Sequence, residues 1–242
     1  IRLSLVGSEM CIRDRANTLR GGDGDDYLYN NASNSAAFLD GGTGNDLIQA
    51  SLSLYVVDTI WSGDGNDRVQ YAGHYSTDVV DAGSGDDRVE LSGYSSNFIS
   101  TVTLGAGRDT LGFSHNTIDL SVEHATVTDF TTGAGGDKVD LTNVLYSLKS
   151  YSGLNPFGAS GYLRLIQDGV DTLLQADANG AATDGSVFTT LFRFQNTIAT
   201  NFTADNFSPA WPPPGGDIND APRPCSCRAR HPYCLRISIQ PR

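Results

Sequence analysis

No cysteine lies between residues 12 and 224 of this 242-residue chain, so no disulfide staples its long central part. Basic residues are also scarce: 16 Lys and Arg stand against 28 Asp and Glu, for a net charge of −12. Residues 21–212 hold 24 acidic and 7 basic side chains, a balance of −17 (7 − 24). Such a chain repels nucleic acid and anionic lipid. No run of about 18 apolar residues exists, so no transmembrane helix is predicted. A charged-then-apolar signal peptide is missing from the N-terminus. Catalytic signatures are missing too, with neither a His-Glu-x-x-His pair nor a Gly-x-Ser-x-Gly elbow. His74, His115 and His124 sit in unrelated contexts and read as surface or strand histidines. Counting leaves a glycosidase carboxylate pair open, although the repeats described next account for most acids. With 27 glycines the unfolded chain has much conformational entropy to lose. A bound cation is the natural compensation, because a ligand held only by the folded form stabilises it.

What the chain does have is one pattern, Gly-x-Gly-x-Asp-x-aliphatic, five times. It occurs at Gly22-Asp23-Gly24-Asp25-Asp26-Tyr27-Leu28, Gly42-Thr43-Gly44-Asn45-Asp46-Leu47-Ile48 and Gly63-Asp64-Gly65-Asn66-Asp67-Arg68-Val69. It returns at Gly83-Ser84-Gly85-Asp86-Asp87-Arg88-Val89 and Gly105-Ala106-Gly107-Arg108-Asp109-Thr110-Leu111. The aspartates are 20, 21, 20 and 22 residues apart, and a fixed period of this size signals a stacked coil. Paired glycines permit positive φ, so that carbonyls of a sharp turn can converge. The aspartate adds a hard anionic oxygen suited to calcium, which takes six to eight oxygen ligands. A phosphate cradle is disfavoured, because clustered carboxylates repel phosphate. The aliphatic residues Leu28, Ile48, Val69, Val89 and Leu111 start strands and are expected to stack in one column.

A second strand precedes each later turn, at Ala37–Leu39, Val57–Ile60, Asp78–Val80 and Thr101–Leu104. Between the two strands of each coil lies a polar turn without the Gly-Gly-Asp set. The expected architecture is all-β: a parallel β-roll over residues 19–125 with one metal-rich edge and one edge of ordinary polar turns. Tyr55, Trp61, Tyr71 and Tyr75 read as an aromatic group of core and stacking surface rather than a sugar platform.

The five copies resemble the nonapeptide of RTX (repeats-in-toxin, hemolysin-type) proteins, Gly-Gly-x-Gly-x-Asp-x-hydrophobic-x. That resemblance implies a calcium-binding parallel β-roll with calcium as cofactor, held between successive turns by carbonyls and by Asp26, Asp46, Asp67, Asp87 and Asp109. Five turns would sandwich up to four ions. The chain departs from the pattern where the first glycine, kept in Gly21 and Gly41, becomes Ser62, Ala82 and Leu104. Arg108, beside Asp109, is expected to weaken the fifth turn. Val127-Thr128-Asp129-Phe130 and Gly135-Gly136-Asp137-Lys138-Val139-Asp140-Leu141 are similar to the start of the C-terminal target region of type I secreted RTX proteins. Residues 161–207 continue that likeness. It implies a β-rich cap over residues 126–210, transient contact with type I secretion machinery and an extracellular location.

Asp129, Asp137 and Asp140 fit either a further calcium site or a polar turn before a strand; Asp129 and Asp137 are carried as candidate ligands. Asp177-Ala178-Asn179-Gly180 fits calcium or, better, an Asx-rich turn. Val144–Leu148 suggests a short helix. The ends differ in character. Residues 1–18, which start without methionine, resemble a translated sequencing adapter and read as a non-native leader. Residues 211–242 follow a Pro-Pro-Pro-Gly-Gly linker and read as a disordered or frame-shifted tail. Within it Cys225, Cys227, His231 and Cys234 are zinc-ligand types without the usual knuckle spacing. The expected function is a calcium-binding module that folds after secretion, with any catalytic domain upstream. The alternatives are the C-terminal portion of a secreted protease, lipase or alginate epimerase, or of a surface adhesin.

Overall fold

The computed structural model describes residues 2–4, 9–12, 17–30, 36–54, 57–74, 77–92, 99–158, 161–180 and 187–213. Each coil contributes one strand to each of two facing sheets. The first sheet takes β1 (Arg2–Ser4), β3 (Asn17–Asp23), β5 (Ala37–Thr43), β7 (Thr59–Asp64), β9 (Val79–Asp81), β11 (Ser100–Thr103) and β13 (Ala125–Val127). The second takes β2 (Glu9–Ile12), β4 (Tyr27–Asn30), β6 (Leu47–Leu54), β8 (Arg68–His74), β10 (Arg88–Leu91), β12 (Thr110–Phe113) and β14 (Lys138–Asp140). All of these pair in parallel, each with the strand one coil away.

Parallel stacking in register puts like residues over like. On the second sheet Leu28, Ile48, Val69, Val89 and Leu111 form the expected column, continued by Val139. Facing it, Leu19, Leu39, Ile60, Val80, Val102 and Val127 form a matching column on the first sheet. All these side chains are buried, and they form the thin core between the sheets. Burial on this scale is worth about 1.5–3 kcal/mol per large aliphatic side chain.

The boundary expected at residue 126 falls inside β13, and both sheets run on through it. β17 (Thr189–Phe194) continues the first sheet in parallel beside β13. β16 (Asp171–Ala176) and β15 (Leu163–Asp168) then add an antiparallel edge. β18 (Phe207–Ser208) extends the second sheet beside β14. The expected helix is α1 (Thr142–Ser147), which buries Val144 and Leu145. Phe130, Phe194 and Phe202 pack ring on ring across the end of the roll, with Phe113 against Phe192 and Phe157 against Phe207. A solenoid needs such a plug, because its last coil otherwise leaves apolar side chains and strand edges in water.

Within residues 1–18, read as a foreign leader, two described segments pair with the first coil. Arg2–Ser4 pairs with Thr18–Arg20, and Glu9–Ile12 pairs with Tyr27–Asn30. The exposed first coil offers unpaired backbone groups that an extended segment can satisfy. The tail from residue 214 lies outside the described residues, as do Tyr55 and Tyr75. The remaining two aromatics do not share a patch: Trp61 is 49% exposed on the outer face of β7, whereas Tyr71 is buried.

Candidate metal edge

The five Gly-x-Gly-x-Asp turns stack along one edge of the roll. Their glycines all take positive φ, for example 110° at Gly42 and 123° at Gly44. Close stacking forbids a side chain here as firmly as the dihedral does. A Cβ on Gly42 would collide with the Gly22 carbonyl, and one on Gly44 with the Gly24 carbonyl. The turns are also tied together by backbone bonds, with Gly24 N–H donating to the Thr43 carbonyl (2.7 Å) and Gly44 N–H to that of Asp64 (2.8 Å).

Two ladders of side chains run along this edge in opposite directions. In the inner one, each aspartate Oδ1 accepts the backbone N–H of the aspartate one coil earlier. Asp46 accepts from Asp26 (2.8 Å), Asp67 from Asp46 (2.7 Å), Asp87 from Asp67 (2.8 Å) and Asp109 from Asp87 (2.8 Å). In the outer one, Asp25, Asn45, Asn66 and Asp86 accept from the backbone of the next coil at 2.7–2.9 Å. This outer ladder explains the second Asx in each of the first four turns, and its last donor is the N–H of Arg108. Arg108 is exposed, and the fifth turn keeps the geometry of the others.

The inner ladder leaves its second oxygens dry. Oδ2 of Asp46, Asp87 and Asp109 is buried without a hydrogen bond. Asp67 Oδ2 is in the same state; the nearby Ser62 hydroxyl donates instead to the Ala82 carbonyl at 2.9 Å. Burial, reinforced by neighbouring carboxylates, raises these acids. Asp67 and Asp109 rise to about 6, Asp87 rises to about 7, and Asp46 is raised. A buried, ionised and unpartnered carboxylate oxygen is costly, so the edge calls for protons or cations.

The donor set suits a hard cation. Next to Asp46 Oδ2 lie the Cα of Gly41 and the carbonyl of Ser62, where a methyl group on Gly41 would strike both oxygens. Among the described residues no group of three His, Cys, Asp or Glu side chains converges. An ion here would therefore be held by one carboxylate per turn and by turn carbonyls, an oxygen-only set of the calcium type.

Asp129 and Asp137 are placed unlike these five. Both oxygens of Asp129 accept backbone N–H groups, from Leu104 and Gly105 at 2.8 Å. Asp137 accepts from Asp109 (3.0 Å) with one oxygen and from Thr131 (2.7 Å) with the other. Asp137 thus ends the inner ladder, and Asp129 closes the fifth turn. Asp140 ion-pairs with Arg88 (2.7 Å) and accepts the Thr142 N–H (3.0 Å). It braces the strand–helix junction.

Sequence reasoning missed a third ladder, on the opposite edge. Asp58 Oδ1 accepts the Ala37 N–H (2.7 Å) and Asp78 Oδ1 that of Asp58 (3.0 Å), both buried. No glycine flags this pair; the only signal is their spacing of 20 at the start of β7 and β9. Residues 31–35, 55–56, 75–76 and 93–98, where polar turns were expected along this edge, lie outside the described residues. His124 is buried, held neutral by desolvation, with Nε2 at 2.9 Å from the Asp119 carbonyl. It thus lies buried just before β13, neither on the surface nor within a strand as the sequence suggested.

Comparison with known proteins agrees with the turn chemistry. Residues 13–35, 33–52, 57–71 and 72–92 match the RTX calcium-binding nonapeptide repeat, in four copies. No curated protein matches the sequence. A solved structure, that of the AlgE6R3 subunit from the Azotobacter vinelandii mannuronan C5-epimerase, is similar at 17% identity over 94% of this chain and 92% of that one. Its TM-score of 0.33 is too low to carry fold or function. Residues 13–52 and 57–92 thus carry RTX calcium-binding nonapeptide repeats, arranged here as successive coils of a parallel β-roll.

Proposed function

We propose that this chain is a calcium-triggered folding module of an exported protein. The observation that carries the reading is the inner ladder, whose second oxygens are buried without partners along a stack of adjacent coils. Without calcium these carboxylates lie only about 4.8 Å apart per coil and repel one another. The glycine-rich turns then favour the unfolded chain. Calcium cancels the repulsion and links each coil to the next. Extracellular calcium modules typically bind at about 10⁻⁴–10⁻³ M, so the chain stays open where calcium is scarce and condenses where it is plentiful. A disulfide-free, cation-gated fold suits passage through an export channel as an unfolded chain, with type I secretion the route that the repeats suggest. The activity of the parent protein then belongs to a segment joined to this one.

Small-angle scattering tests this reading. A folded chain of this length has a radius of gyration of about 18 Å and an unfolded one about 54 Å. The expected result is an expanded chain in chelator that contracts severalfold in volume in millimolar calcium and not in magnesium. Equal compaction in chelator overturns it.

A further inference from the structure

Asp177 shares the chemical signature of the roll aspartates but lies outside the roll. It is 2% exposed, its Oδ1 accepts the Asn179 N–H at 3.0 Å, and its Oδ2 is buried without a hydrogen bond. An Asx turn explains the first oxygen and leaves the second unexplained. Asp129 and Asp137, by contrast, have both oxygens satisfied. Asp177 lines a cleft of about 370 Å³ together with Asp119, Ser121, Ser147, Lys149 and Asn179.

The walls of this cleft are tied together. Lys149 N–H donates to the Ala178 carbonyl (2.8 Å), Tyr162 Oη–H to the Lys149 carbonyl (2.9 Å) and Asp177 N–H to the Tyr162 carbonyl (2.8 Å). The Asp119 carboxylate is held by the Ser121 N–H at 2.9 Å. The cleft thus brings segments 118–121, 147–149 and 177–179 to one place.

We propose that this cleft is a further calcium site, separate from the metal edge, with Asp177 as its buried anchor. Asp119 and the side-chain oxygen of Asn179 are the second and third donors. The inference rests on the calcium reading of the roll for its signature, because it takes the dry second oxygen as the mark of a cation. Two carboxylates and one ammonium give the cleft a net charge of −1, so Lys149 opposes the ion and the site is weaker than those of the roll.

The test is a count of calcium per full-length chain, by equilibrium dialysis and elemental analysis, for wild type, Asp177→Asn and Lys149→Met. Asp177→Asn is expected to hold one calcium fewer at saturation. Lys149→Met, at an exposed position that folding tolerates, is expected to hold the wild-type number and to half-fill its weakest site at severalfold lower calcium. An Asp177→Asn chain that keeps the wild-type number overturns the proposal. If Asp177→Asn does not fold, an unchanged filling curve for Lys149→Met overturns it instead. Failure of the roll reading is distinct: wild type would then hold at most one ion, and Asp177→Asn would still report on that one.

Discussion

A carboxylate that accepts one backbone N–H and keeps its other oxygen dry is stable only when a proton or a cation reaches that oxygen. Along the inner ladder this sets a competition that depends on pH. In metal-free protein the folded-state acids are raised, Asp67 and Asp109 to about 6 and Asp87 to about 7, from an ordinary value of about 3.9. A raised acid stabilises the folded form fully below its unfolded value, and that contribution is lost as pH rises through the folded one. Chelated protein is therefore most ordered near pH 4 and loosens as pH approaches about 7, as followed by circular dichroism at low chain concentration. In calcium the trend reverses, and the calcium midpoint rises as pH is lowered from about 7 to 5. Asp87→Asn separates the two roles of the side chain. Its amide oxygen still accepts the Asp67 N–H, but the charge is gone. Urea unfolding is expected to show a loss of about 3–5 kcal/mol in calcium and no loss, or a gain, in chelator near pH 4, where the chelated protein is most ordered. At this scale the inner ladder was legible in the sequence, because glycines and a constant period frame each aspartate. Asp58 and Asp78 were not, because a bare aspartate before a strand looks like any turn residue. The hydrogen bonds of Asp129 and Asp137 were not legible for a related reason. Residue type shows that a carboxylate is present, while only the fold shows that each of its two oxygens accepts a backbone N–H.

At the scale of elements, the turns are constrained by their neighbours as much as by their own dihedrals. Gly42 has φ 110° and lies against the Gly22 carbonyl, whereas Gly24, at φ 106°, has nothing within 4 Å of its missing Cβ. Gly24→Ala is expected to cost about 1 kcal/mol from backbone strain alone. Gly42→Ala adds a clash between coils and is expected to cost at least twice that, with a higher calcium midpoint; equal costs would show that coil stacking is looser than described. On the outer face of the second sheet, Glu90 is clamped by Arg68, Gln70 and Arg88 at 2.7–3.0 Å. Arg88 also spans Gly112 to reach Asp140, thereby joining three coils. The strands of the roll were legible because their inward residues repeat at the period of the turns. The cap strands were not assigned in advance. β15 and β16 form an ordinary antiparallel hairpin that does not share that period, and β17 reaches the roll only through tertiary pairing.

At the scale of the whole molecule, the described residues form one continuous two-sheet stack, with the carboxylate turns along one edge and a plug of phenylalanines at one end. Its hydrophobic core is only two residue columns thick through the roll, so cohesion between coils depends heavily on the edge. The cap has its own aromatic core, and Asp129 and Asp137 there have both oxygens hydrogen-bonded, so it needs the cation less than the roll does. The central claim is that calcium, not packing alone, folds the roll. The most direct test is far-UV circular dichroism of the full chain through a calcium titration from chelator to millimolar, with magnesium as the control. The account predicts a cooperative gain of β signal with calcium and none with magnesium. A full β signal already present in chelator at neutral pH would contradict it.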